Sequence, residues 1–207
     1  MDTSILNLNN RIVKNIFTKD QLNFLYSTTN EYISSCLNKE QKDLGRIYFK
    51  MLWDNDKDSV DLPILTELVN IITYKAINEF KQPLKIESIS FARYQMQYGI
   101  PNLPPHVDDN FEYPRLTFTI QLSSNKLWKI FVEDKGFELH ENEGLIFSGT
   151  HQVHWREKVV FDNKDYVDIL LCQFSDPSPL SKPIDLKFKT DIRSRANMFK
   201  LQYNKKG

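Results

Sequence analysis

The residues of this chain that could bind a catalytic metal ion lie close together in its second half. His106, Val107 and Asp108 form a His-x-Asp triplet. If the triplet lies on a strand, its histidine and aspartate point to the same side, because side chains alternate along a strand. One more imidazole from a distant strand would complete two histidines and one carboxylate, a set that binds one face of iron(II) and leaves other positions open. The triplet therefore predicts a metal site suited to redox chemistry.

The candidates for the third ligand are few, because every histidine of the chain falls between positions 106 and 154. His151 and His154 are three positions apart, so on one strand only one of them can easily face the metal. His151 directly follows the turn residues 148–150, which favours a place at the rim of the site. His140 lies in a polar stretch, which is typical of a surface histidine.

The composition describes an ordinary globular protein and argues against several other classes. Hydrophobic residues make up 41% of the 207 residues and charged residues 26%. Lysine plus arginine and aspartate plus glutamate number 27 each, so no overall charge attracts nucleic acid or a membrane surface. Two cysteines, Cys36 and Cys172, are too few for a disulfide framework. Because there is also no apolar run of membrane-spanning length and no signal-peptide pattern, we expect a cytoplasmic protein.

Helices are predicted in the first part of the chain. Thr18 and Gln21 have the spacing of a capping box, and the apolar residues that follow support a first helix: Leu22, Leu25, Tyr26, Tyr32 and Ile33. A second helix is predicted from about Asp61, with Pro63 in its first turn. Its apolar stripe comprises Leu65, Leu68, Ile72 and Ile77.

From about residue 84 the pattern changes to short strands. Runs rich in β-branched and aromatic residues alternate with turn residues at 85–98, 115–123, 127–133, 144–148, 151–160 and 165–174. Helices followed by closely spaced strands predict a mainly β protein with flanking helices, either a sandwich or a barrel. We expect one domain over 1–207, with helical support in 1–83, a β core in 84–175 and a basic extension in 176–207. The end of that extension, 182–207, carries eight basic and two acidic residues, so it is either a solvated tail, a covering helix or a contact for an acidic partner.

Four stretches together resemble a known family. They are FARYQMQYGIPNLPPHVDD, YPRLTFTIQLSS, GLIFSGTHQVHWREKVV and DYVDILLCQF, and the early IVKNIFTKDQLNFLY is similar to that family's helical opening. The chain resembles the 2-oxoglutarate- and iron(II)-dependent oxygenases, especially their prolyl-4-hydroxylase-like branch, over roughly 85–175. The resemblance implies a double-stranded β-helix (a jelly-roll, cupin-like core). It also implies Fe(II), 2-oxoglutarate and O2 as cofactor and cosubstrates, with His106, Asp108 and His154 as catalytic iron ligands.

The resemblance also implies a cation that binds the far carboxylate of 2-oxoglutarate. Lys164 has the family's usual spacing from the distal histidine, but it lies in the turn-like stretch 162–165. Arg156 is the alternative, because it is two positions after His154 and shares its inward face on a regular strand. A buried guanidinium needs a partner, and a carboxylate matches it best.

Three further side chains are candidates for the cosubstrate pocket. Tyr94 resembles the family's tyrosine that helps to hold the cosubstrate, and Gln121 matches a position where relatives place a hydrogen-bonding side chain. Thr119 has the parity to line the same cavity, although ordinary strand packing would explain it equally well.

The implied reaction is hydroxylation of an unactivated C–H bond, coupled to conversion of 2-oxoglutarate to succinate and CO2. Asp108 favours hydroxylation over halogenation, because halogenating relatives lack this carboxylate. We expect a small molecule or an amino acid as substrate. The alternatives are a protein or peptide side chain, or a non-catalytic barrel that only binds a metal or ligand. Equal numbers of acidic and basic residues argue against a nucleic-acid substrate.

Overall fold

The computed structural model describes residues 10–35, 40–53, 65–81, 83–108, 111–177 and 182–205. In chain order the elements are β1 (Arg11–Lys14), α1 (Lys19–Ser35), β2 (Glu40–Gln41), β3 (Arg46–Trp53), α2 (Leu65–Phe80), β4 (Lys85–Gln95), β5 (Leu116–Ser124), β6 (Ile130–Val132), β7 (Lys135–Phe137), β8 (Glu143–Phe147), β9 (His154–Arg156), β10 (Tyr166–Ser175) and α3 (Leu186–Lys205). No helix within these ranges has the length and apolar character that crossing a membrane requires.

The strands form two antiparallel sheets. The larger sheet has the order β1-β8-β5-β10-β4-β3-β2, and the smaller sheet has the order β7-β6-β9. The sheets enclose a cavity between them, and helices cover the outside. This arrangement is a double-stranded β-helix, or jelly-roll, so the predicted fold class is confirmed.

The first helix begins where the sequence predicts. The backbone N–H of Thr18 donates to Gln21 Oε1 at 2.9 Å, and the N–H of Gln21 donates to Thr18 Oγ1 at 3.3 Å. This reciprocal pair is the predicted capping box. α2 is described from Leu65 onward, so the predicted start near Asp61 and Pro63 lies outside the described residues.

Alternation along the strands of the larger sheet separates its core face from its cavity face. Strand residues of one parity, such as Phe49 and Phe91, pack against α1 and α2. Leu25 of α1 and Ile72 of α2 belong to the same core cluster. The opposite parity points toward the smaller sheet and supplies most of the cavity wall. The helices therefore stabilise the sheet from outside and leave its inner face free for a site.

The predicted strands agree with the observed ones, apart from four strands that the sequence did not predict: β1, β2, β3 and β7. β3 matters for the site, because it extends the larger sheet next to β4 and lines part of the cavity.

The basic C-terminal segment forms α3, which covers the smaller sheet. Ile192 and Ala196 are buried against Val107 and Val153. Tyr203 is also buried, and its hydroxyl donates to Asn102 Oδ1 at 2.7 Å. Of the alternatives for this segment, these contacts favour the covering helix over the solvated tail. The helix therefore packs against Val107, which lies between His106 and Asp108, and against Val153, which directly precedes His154.

Candidate metal centre and cosubstrate cavity

The two histidines of the predicted triad are brought together by an isolated antiparallel bridge. The N–H of His106 donates to the carbonyl of His154 at 3.0 Å, and the N–H of His154 donates back at 2.9 Å. Asp108 is fixed by its own N–H, which donates to the carbonyl of Gly149 at 2.9 Å. One potential ligand atom from each of the three side chains lies within 4.8 Å of the others. The structure thus brings together the three residues that the sequence predicted.

Both imidazoles are oriented by backbone carbonyls. Nδ1 of His106 lies 2.8 Å from the carbonyl of Pro104, and Nδ1 of His154 lies 3.0 Å from the carbonyl of Gln152. A carbonyl can only accept, so each Nδ1 carries the hydrogen and each Nε2 keeps its lone pair for a metal. Burial, with the neighbouring His154, lowers the pKa of His106 to about 4, which keeps this ring neutral at neutral pH.

The carboxylate of Asp108 is held by one of its two oxygens. Oδ2 accepts from the hydroxyl of Thr117 at 2.9 Å and from the side-chain amide of Gln173 at 3.3 Å. Oδ1 lies 3.7 Å from Nε2 of His154 and faces the other candidate ligands. Two imidazole nitrogens and one carboxylate oxygen on one side of a cavity fit Fe(II).

The other two histidines lie outside this centre. His151 is at the edge, where its Nδ1 lies 2.8 Å from the hydroxyl of Thr150 and its ring packs on Phe188 of α3 at 4.6 Å between centroids. His140 is exposed. These positions match the rim and surface places expected for them.

The triad opens into a cavity of about 330 Å³ between the two sheets. Its wall includes Thr117, Thr119, Ser90 and Leu171 from the larger sheet. Pockets for small molecules have volumes of a few hundred cubic ångströms, so a cosubstrate-sized ligand fits here.

Arg156 is the most unusual residue of this cavity, because its guanidinium is fully buried and has no carboxylate partner among the residues that the structure describes. Nη1 donates to the carbonyl of Trp128 at 2.6 Å, and the guanidinium stacks over the Trp128 ring at 5.0 Å. Nε and Nη2 are buried and have no hydrogen-bond partner among the described residues. Burial lowers the pKa of Arg156 to about 10. A buried cation with two free donors is costly unless an anion binds to it.

The remaining cosubstrate candidates divide into two groups. Tyr94 and Thr119 line the cavity, and the hydroxyl of Thr119 is buried without a partner in the described part of the chain. Lys164 instead lies exposed in a turn, and Gln121 directs its amide to the carbonyl of Leu139 at 2.7 Å. Neither Lys164 nor Gln121 reaches the cavity wall, so the structure does not bring these two residues to the site.

The cavity wall also contains residues that the sequence-based site did not include, among them Thr117, Gln173 and Arg46. Gln173 contacts Asp108 from β10, and Arg46 enters the cavity from β3. The alternation of β10 could have singled out Gln173 as inward-facing, whereas Arg46 lies on a strand that was not predicted.

Comparisons with known proteins concern the fold. No protein-family profile matches the chain, and no curated protein sequence matches it. Solved structures do match the chain by fold. The chain has the double-stranded β-helix fold of 2-oxoglutarate- and iron(II)-dependent oxygenases.

Three of these structures illustrate the likeness. The α-ketoglutarate-dependent epimerase SnoN of nogalamycin biosynthesis has a TM-score of 0.66 at 10% identity, over 87% of this chain and 83% of SnoN. A 2-oxoglutarate–Fe(II) oxygenase family oxidoreductase from Burkholderia pseudomallei gives 0.57 at 14% identity, over 82% and 85%. A prolyl-4-hydroxylase from Pseudomonas putida gives 0.57 at 10% identity, over 84% and 96%.

Proposed function

We propose that this protein is an Fe(II)- and 2-oxoglutarate-dependent dioxygenase that hydroxylates a C–H bond of a small molecule or an amino acid. His106, Asp108 and His154 are the iron ligands, and Arg156 binds the far carboxylate of 2-oxoglutarate. The observation that carries the proposal is the buried guanidinium with two unpaired nitrogens in the same cavity as the triad. A metal site alone is compatible with many β-barrel proteins. A metal site and a buried cation in one cavity can bind the two ends of a dicarboxylate that chelates the metal.

When bound, iron would supply the redox chemistry in which O2 oxidises 2-oxoglutarate to succinate and CO2 and provides the oxygen atom that hydroxylates a substrate C–H bond. The residues of the chain set the geometry. The carbonyls of Pro104 and Gln152 fix the imidazole orientations, and Thr117 with Gln173 fixes the carboxylate of Asp108. These contacts pre-organise the ligands, because each side chain can bind metal without a rotamer search.

Arg156 and Thr119 provide the donors for the cosubstrate. The free Nε and Nη2 of Arg156 can form a bidentate pair with a carboxylate, and the free hydroxyl of Thr119 can donate to an oxygen of the same molecule. Trp128 completes the arrangement, because its carbonyl and ring hold the guanidinium in place. Lys164, the alternative anchor, lies too exposed to take this role.

A small substrate is the first choice, because the cavity lies between the sheets and has the size of a small-molecule site. A protein or peptide side chain is the alternative, and the solved structures of this fold include both an epimerase and a prolyl hydroxylase. A barrel that binds ligand without turnover is the non-catalytic alternative.

The test is an anaerobic titration of 2-oxoglutarate into the Fe(II)-loaded full chain, followed by measurement of succinate release in air. The Arg156→Met variant should raise the dissociation constant of 2-oxoglutarate at least about tenfold, because a charge-assisted bidentate pair contributes about 1.5–3 kcal/mol. Lys164→Met is the control and should change it much less.

A large loss for Lys164→Met with little change for Arg156→Met would contradict the anchor assignment. If the wild-type protein binds 2-oxoglutarate but releases no succinate with any substrate, the non-catalytic alternative is correct.

A further inference from the structure

A second guanidinium lines the cavity, and no role has yet been assigned to it. Arg46 lies on β3 directly beside Tyr94 of β4, to which it is paired in the sheet register. It contributes to the same cavity wall as His106 and Arg156. Unlike Arg156 it is only half-buried, so it faces a more open part of the cavity.

Neutral groups hold Arg46 in one orientation. Nε donates to Gln41 Oε1 at 2.6 Å, and Nη1 donates to the hydroxyl of Tyr94 at 2.7 Å. The guanidinium also lies over the rings of Tyr48, at 4.8 Å, and Tyr94, at 5.5 Å. Within the described ranges no carboxylate pairs with it. An arginine fixed by neutral partners has already lost its rotamer freedom, so binding an anion to its free edge costs little additional entropy.

The charge balance of the cavity points in the same direction. Among the described residues, the charged side chains of its wall are Arg46, Arg156 and Asp108, and Asp108 is a proposed metal ligand. A divalent iron and a doubly negative 2-oxoglutarate cancel each other, and Asp108 offsets one of the two arginines. One positive charge then remains, and Arg156 is already assigned to the cosubstrate. A low-dielectric cavity with one uncompensated cation favours a substrate with a negative charge.

We propose that Arg46 binds a carboxylate of the substrate, so that the substrate of this site is a small carboxylic acid, such as an amino acid. This inference rests on the proposed function and names its substrate class. Arg46 is then a specificity-determining residue: the fork of the guanidinium pairs with the carboxylate and directs the rest of the substrate toward the metal. Tyr48 and Tyr94 keep that fork in position through their rings and the Tyr94 hydroxyl.

The experiment uses the full chain loaded anaerobically with Fe(II) and 2-oxoglutarate. The probes are the standard amino acids and short-chain monocarboxylic acids, each paired with its primary amide, and binding is measured by isothermal titration calorimetry. In the wild-type protein at least one acid should bind about tenfold or more tightly than its amide, because one charge-assisted pair contributes at least this factor. Arg46→Met should remove that preference, and Arg46→Lys should restore part of it, since lysine keeps the charge and loses the fork.

Arg11→Met is the matched control. Arg11 is an exposed arginine at the start of β1, where it donates to the carbonyl of Glu79 at 2.9 Å, and it does not line the cavity. This variant should keep the preference for the acid. Thermal unfolding of each variant shows that it is folded before it is titrated.

Three results would overturn the proposal. One is a wild-type protein that prefers no acid over its amide, and another is an Arg46→Met variant that keeps the preference. The third is an Arg46→Met variant that weakens 2-oxoglutarate binding as much as Arg156→Met does, because Arg46 would then belong to the cosubstrate. Failure of the proposed function would look different, since 2-oxoglutarate itself would then not bind to the iron-loaded wild-type protein.

Discussion

Gly149 is the position where the smallest side-chain change should damage the metal centre. A Cβ atom at this position would lie 2.2 Å from Asp108 Oδ2 and 2.2 Å from Thr117 Oγ1. The backbone of Gly149 is not in the left-handed region, so alanine adds no backbone strain. The whole effect of Gly149→Ala therefore falls on the carboxylate and on the hydroxyl that orients it.

The magnitude follows from what these two groups must do to relieve the clash. Either Asp108 turns away from the metal position, or Thr117 gives up its 2.9 Å hydrogen bond to Oδ2. Loss of a hydrogen bond that orients a metal ligand typically costs 10–100-fold in metal affinity. We therefore expect Gly149→Ala to weaken metal binding by about 10–100-fold, or about 1.4–2.7 kcal/mol. Thr117→Val removes the hydrogen bond without the clash and should give the lower end of that range.

The assay is anaerobic calorimetric titration of Fe(II) into the metal-free protein, after circular dichroism has shown that each variant is folded. Gly136→Ala is the matched control, because the three atoms nearest to a Cβ there all belong to the side chain of Phe131, at 2.9 Å or more, and not to a metal ligand. Wild-type affinity in Gly149→Ala would refute the reasoning, since Asp108 could then not be the ligand that the surrounding contacts orient.

The other predictions concern the neighbouring histidines and the C-terminal helix. His154→Ala should abolish Fe(II) binding and 2-oxoglutarate turnover while His151→Ala keeps both, and the reverse pattern would exclude His154 as the ligand. Burial lowers the pKa of His151 to about 4, below its unfolded value of about 6.5. Stability from this group is present above pH 6.5 and is lost as the pH falls toward 4, because the unfolded chain takes up the proton first. His151→Gln should therefore reduce the acid-induced loss of stability, followed by circular dichroism, whereas the exposed His140→Gln should not; equal acid curves would contradict this. Ile192→Ala, at a residue of α3 that is 2% exposed, should lower the free energy of unfolding by about 2–4 kcal/mol in urea titrations. Leu201→Ala, at a residue 64% exposed, should change it by less than about 0.5 kcal/mol, and a similar small effect at Ile192 would show that the helix does not contribute to the core.

Local patterns predicted those features that depend on a few consecutive residues. The capping box at Thr18 and Gln21 needs only three positions of spacing, and the inward direction of Arg156 follows from its distance of two positions from His154 on β9. Parity is reliable here because β9 is a regular strand.

Features that depend on pairing between distant strands could not be predicted in the same way. Gln173 reaches Asp108 because β10 pairs with β5 in a register that sets Gln173 opposite Thr117. Nothing near either residue in the sequence specifies that register. For Lys164 the local spacing was misleading. It lies at the family's usual distance from the distal histidine, but it is in an exposed turn before β10 and does not reach the cavity.

The two arginines of the cavity differ in a way that supports the different partners proposed for them. Arg156 is fully buried and, within the described ranges, lacks partners on two nitrogens, so an anion that is bound for most of the time would stabilise it. A cosubstrate common to every turnover fits that requirement. Arg46 is half-buried, and the rings of Tyr48 and Tyr94 stabilise its charge, so it tolerates an empty site between turnovers. A substrate that leaves as product after each turnover fits this second environment.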